Sequence, residues 1–318
     1  MACWKIIVEL AIDNETSMNA AKTQERASQN RMVISNTHAK EDSVEIGNCP
    51  LCLSGGASLH DSHFMPRSLY PLFRAGNLHP VRFSREKVAQ TSEQVTDYVF
   101  CGACEKLFNR GGESWIHTLF ARLNGPFPLR ERLLKQAPTA DLGDAKLYAA
   151  GINPEIDVPK LTHFGCGIFF KGSVHCWHGD PRKPYIKMER DEIDALRRYL
   201  FGKAALPKTM ALCITIDSAP VVWQAMNEPY QAEPLLGFKR YVFYVPGIFF
   251  QLCIGDGVQE KIPTCINGSA DGPVLYENIS LSMRNTAREE LKDAEPPQKL
   301  FDMMADLEKK GLSIRLGD

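Results

Sequence analysis

Residues 101–109 read CGACEKLFN, and upstream a matching pair stands in CPLC, Cys49–Cys52. A C-x-x-C turn presents two thiolates from one tight knuckle, and two such turns supply the four tetrahedral ligands of a closed structural zinc site. The spacing predicts one centre made by Cys49, Cys52, Cys101 and Cys104. The alternatives are that the pairs are redox-active or unrelated, and a thioredoxin-like reading is weakened because neither pair follows a βαβ pattern. The run from Cys52 to Cys101 is longer than the loop of a compact zinc ribbon, so an insertion is expected between the knuckles.

Between the pairs, SLHDSHFMPRSLY (58–70) places His63 in a short apolar stretch ended by Pro66. DYVF (97–100) reads as a strand leading into Cys101, and EKLFN (105–109) opens a helix directly after Cys104. Knuckle, hairpin with a histidine, strand, knuckle and helix is the layout of a ββα-metal site. On these elements the chain resembles the HNH endonuclease family in its zinc-stapled, treble-clef form, from Cys49 to near Trp115. CPLC, SHFMP and CGACE stand in the order of that family's three elements. The likeness extends to variant bacterial members with D/E-S-H-x-x-P and C-x-x-C-E elements.

The resemblance implies roles for single residues. His63 takes the place of the general base that activates water against a phosphodiester, a task suited to a group titrating near neutral pH. The catalytic cation, Mg²⁺ or Mn²⁺, is implied at the positions of Ser62 and Glu105, with Asp61 as the acid in the D-S-H variant and His60 beside it. The family's middle asparagine has no counterpart, since that strand reads VTDYVF with Thr96 and Asp97; Asn109, one helical turn beyond Glu105, is the candidate to assist. Further implications are DNA, in preference to RNA, as substrate, and service as an effector of bacterial phage defence with the C-terminal part docking a protein partner.

Structural readings stand beside these. A histidine at 63 can steady the turn, Glu105 suits a helix N-terminus without any metal, and Asn109 before Arg110, Gly111 and Gly112 can be a helix end. Ser62 and the missing asparagine favour an alternative function, a catalytically inactive zinc module binding nucleic acid or protein.

The chain has 318 residues with 37 Lys and Arg against 38 Asp and Glu, so a nucleic-acid contact has to come from a local basic face. Arg67, Arg74, Arg82, Arg85 and Lys87, interleaved with Tyr70, Phe73 and Phe83, form such a cluster between the knuckles, suited to phosphate contact and base stacking. The opening MACWKIIVELAID does not have the form of a secretory signal. Cys3, Cys166, Cys176, Cys213, Cys253 and Cys265 are scattered, several in apolar runs where a thiol packs as a small hydrophobe. YVFYVPGIFFQLCIG (241–255) is broken by Pro246, Gly247 and Gln251, a poor membrane span. A cytoplasmic protein with no membrane partner is expected.

The expected fold class is α+β: an irregular or flexible extension over 1–46, polar and poor in large apolar groups from 13 to 46, an HNH-like zinc module over 47–125, and a larger α+β domain over 126–318 after Gly125–Pro126. KTMALCITID (208–217) and the runs on either side of Pro246–Gly247 predict buried strands, the last two a hairpin. RDEIDALRRYLF (190–201) and PQKLFDMMADLEKKGL (297–312) have helical spacing. HCWH (175–178), with His175 and His178, is read as core through Cys176 and Trp177 instead of as a second metal site.

Overall fold

MALCITID carries apolar or β-branched side chains at nearly every position, and in the computed structural model it is a strand buried on both faces. The model describes residues 4–6, 45–73, 81–83, 88–90, 94–123, 125–177 and 183–291. Its strands are β1 (Trp4–Ile6), β2 (Glu45–Gly47), β3 (Ala57–His63), β4 (Val81–Phe83), β5 (Val88–Gln90), β6 (Thr96–Cys101), β7 (Ala140–Asp141), β8 (Ala145–Ala149), β9 (Met210–Asp217), β10 (Ala225–Asn227), β11 (Tyr230–Leu235), β12 (Phe238–Val245), β13 (Ile248–Ile254) and β14 (Pro273–Glu277). The helices are α1 (Gly102–Phe108), α2 (Ser114–Ile116), α3 (Pro128–Leu133), α4 (Val158–Val174), α5 (Arg190–Leu200), α6 (Val258–Lys261) and α7 (Ser280–Leu291). The class is α+β, as expected.

The main sheet runs β11-β12-β13-β9-β14-β8-β7, antiparallel except where β14 lies parallel to β9. β12 and β13 form the expected hairpin, with Val245 opposite Ile248 across Pro246–Gly247. Gly247 has φ +84, which the tight turn requires and which a side chain would strain. The second sheet is β2-β3-β6, and the third is β10-β1-β4-β5. RDEIDALRRYL is helical as its spacing predicts, and Glu189 and Glu192 close a capping box at its start.

α4 joins the sheets. Its glycines let neighbours approach closely: a Cβ on Gly165 would stand 2.8 Å from Phe250 of β13, and one on Gly167 3.5 Å from Phe108 of α1. One buried cluster therefore runs from Cys49, Leu51 and Phe100 through Phe108 to Phe164, Phe169 and Phe250, crossing Gly125–Pro126 without a break.

Several expectations are corrected or fall outside what is described. Trp4–Ile6, within the stretch expected to be irregular, and Glu45–Gly47, which crosses its end, are paired strands. Tyr70 and Phe73 are buried in the core, so they do not form a stacking surface; apolar packing on a short 3-10 turn claims both rings. Trp177 is core, whereas Cys176 is half-buried. The helix expected over 297–312, His178, Cys3, Arg74, Arg85, Lys87 and the side chains of Arg82 and Phe83 lie outside the described residues. Among the described residues, no helix is long and apolar enough to cross a membrane.

Candidate functional site

The four predicted cysteines meet. Cys49–Cys52 form a tight turn after β2, closed by the Leu53 amide on the Cys49 carbonyl (2.9 Å) and the Cys49 amide on Ser54 (3.1 Å). Cys101 ends β6 and Cys104 stands in the first turn of α1, so strand-to-helix reversal brings the second pair to the first. All four Sγ atoms lie within 4.8 Å of one another. Cys52 and Cys101 Sγ are 3.8 Å apart, the edge of a tetrahedron with metal–sulfur bonds of about 2.3 Å. The cluster can hold a metal ion.

The electrostatics point the same way. A hydrogen bond from Cys104 holds the Cys49 thiol down at about 4, while the same contact and burial push Cys104 up. Burial also raises Cys101. One thiolate is stabilised at its neighbours' expense, and a cation in their midst removes the conflict because thiol ligands bind deprotonated.

His63 ends β3 and faces the helix that follows Cys104. The helical run continues past Asn109 through a π turn over Asn109–Glu113, with the Ser114 amide on the Asn109 carbonyl, and kinks at Gly112 (φ 175, ψ −32) before α2. Glu105, Asn109, Glu113 and His117 fall on the same side of this kinked rod. With His63 and Arg67 they line a pocket of about 320 Å³. Of the expected catalytic residues, His63, Glu105 and Asn109 are brought together there. Glu105 Oε1 is buried and has no hydrogen-bond partner among the described residues.

Asp61 and Ser62 are arranged differently. Asp61 is exposed on β3 opposite Tyr98 and does not line the pocket. A bulge between His60 and Asp61 shifts the β3–β6 register. Ser62, buried, repairs it: its Oγ accepts from the Phe100 amide and donates to the His60 carbonyl, each 3.2 Å. That hydroxyl is committed to the sheet. Asp97, opposite Ser62, pairs with His175 Nε2 at 2.7 Å.

Lys171 of α4 lies behind the pocket, 1% exposed. Its Nζ is 2.6 Å from Glu113 Oε1 and 3.1 Å from the His63 carbonyl oxygen, and it sits over the Phe108 ring. Sequence reasoning missed Glu113, His117 and Lys171. No signal marked the first two, because Arg110, Gly111 and Gly112 read as a helix end before them, and a lysine inside GIFFKGSV carries none either.

Compared with known proteins, the chain matches no protein-family model, no curated sequence and no solved structure.

Proposed function

We propose that the chain is a metal-dependent nuclease of the HNH type that hydrolyses phosphodiester bonds in DNA, with zinc in the four-cysteine cluster as its structural staple. The supporting observation is that His63 and Glu105, one from the strand and one from the helix joined at the cysteine cluster, line the same pocket. His63 takes the proton from the attacking water, and the P–O bond to the leaving oxygen breaks in line with that attack. Glu105, with its unpartnered buried oxygen, is the carboxylate that fits Mg²⁺ or Mn²⁺; magnesium is commonly held by one or two carboxylates plus water and substrate phosphates. When bound, the cation supplies charge stabilisation at the phosphate. Asn109 and Arg67, at the pocket wall, suit contacts to substrate oxygens.

The test is a panel of divalent metals with plasmid, single-stranded DNA and RNA, comparing wild type with His63→Ala. Metal-dependent nicking by wild type is expected, falling by roughly 10²- to 10⁴-fold in the variant with zinc content unchanged. Equal cleavage by both proteins rejects His63 as the base.

A second reading, a non-catalytic zinc module that binds nucleic acid or protein, is favoured by one observation. With Ser62 tied to the sheet and Asp61 outside the pocket, a cation finds a sparse protein ligand set. DNA binding by a protein that cuts nothing with any metal supports this reading.

A further inference from the structure

We propose that Lys171 is a positioning residue for His63, so that the active site is shared between the cysteine-bearing segment and the C-terminal half of the chain. This rests on the nuclease reading above.

A lysine buried to 1% exposure demands partners, because an ammonium taken out of water is costly. An ion pair of this kind is weak evidence for stability, since apolar residues of similar volume often serve as well. The geometry gives it another use. The ammonium has donors and no acceptor; it spends one on Glu113 Oε1 at 2.6 Å and one on the His63 carbonyl at 3.1 Å. His63 is thereby held through its own peptide, at the point where β3 ends.

A second contact brackets the same peptide. The Lys171 carbonyl accepts from Trp177 Nε1 at 2.7 Å, and the Trp177 ring meets Phe64, the residue after His63, edge-on at 5.3 Å between centroids. The Phe64 amide is itself bonded to Val95 at 2.9 Å. Lys171 of α4 thus holds His63 on its carbonyl, and Trp177, just beyond α4 and bonded to the Lys171 carbonyl, meets Phe64 on its ring. Glu113 is paired in the process, which leaves Glu105 as the pocket carboxylate without a cationic partner at hydrogen-bond distance among the described residues.

The experiment compares wild type and Glu113→Gln with the double variant Lys171→Met/Glu113→Gln; either single change strands a buried charge, and the double variant removes both. Zinc content, thermal melting, kcat and KM for plasmid nicking are measured. The double variant is expected to melt no lower than Glu113→Gln, in which the Lys171 ammonium is left unpaired, to keep KM within about threefold, and to lose a further roughly 10²-fold in kcat, the scale of an ångström of misplacement. A double variant that cleaves as fast as Glu113→Gln overturns the proposal while leaving the nuclease reading intact. Wild type that cuts no substrate with any metal overturns the nuclease reading, and the positioning role with it.

Discussion

Cys52 Sγ and Cys101 Sγ stand 3.8 Å apart although 49 positions separate them in sequence. The contact closes β2, β3, β6 and α1 into one unit, and a loop of that length costs several kcal/mol of chain entropy to close. A metal bound by all four thiolates offsets it. The protein is expected to carry one zinc per chain, and a strong chelator at neutral pH is expected to open this segment, because tetrathiolate binding contributes on the order of 10 kcal/mol. Metal analysis and hydrogen exchange over 49–63 and 96–108, before and after chelation, check this. Unchanged exchange after complete metal removal would count against a structural role.

Glu105 and Asp61 were expected to act together, and only Glu105 lines the His63 pocket. Glu105→Gln is therefore expected to lower metal-dependent cleavage by roughly 10²-fold or more and to raise the Mn²⁺ concentration needed for half-maximal rate. Asp61→Asn, at an exposed strand position, is expected to stay within about threefold of wild type. A steady-state metal titration of both variants decides between them. A larger loss in Asp61→Asn would return Asp61 to the site.

How much of this was legible is a question of where each signal lies. The cysteine cluster is local chemistry at fixed spacing, and β9, β12 and β13 are apolar runs too continuous for anything but a buried sheet. α4 was illegible for the opposite reason. It is buried all round, so it lacks an amphipathic stripe, and Gly165, Gly167 and Gly172, which reduce helix propensity, are there because Phe250, Phe108 and Pro229 press against it. The NRGGE stretch likewise reads as a helix stop, and the chain does kink there, at Gly112, before the next helical turn starts against α4. Tyr70 and Phe73 read as surface aromatics among arginines, but whether a ring stacks or packs is settled by partners distant in sequence.

The π turn is set by close packing at its glycines. A Cβ on Gly112 would lie 2.4 Å from the Lys160 carbonyl oxygen, a backbone atom in the first turn of α4. Gly112→Ala is expected to push α4 from the helix, cost about 1–3 kcal/mol, and loosen the Lys171 contact with Glu113 one residue away. Urea unfolding measures the first effect and kcat for nicking the second. Wild-type stability would show that the two helices separate at no cost.

His163 offers a pH test. Burial lowers its pKa, against a bond from the ring to the Leu200 carbonyl and the Glu113 charge, both of which raise it. Glu113 on the π turn and Lys171 on α4 are paired with each other, so desolvation prevails. The folded pKa therefore lies below the unfolded value of about 6.5. As pH falls through that value the unfolded chain takes up a proton that the folded chain resists; the contribution of His163 is complete above it and lost below. Wild type is expected to lose more stability than His163→Gln between pH 7.5 and 5.5, both zinc-loaded, with the difference read from urea unfolding. Thiolate protonation weakens both proteins alike and cancels in the comparison. Equal losses would mean that His163 is as easily protonated in the folded chain as in the unfolded one.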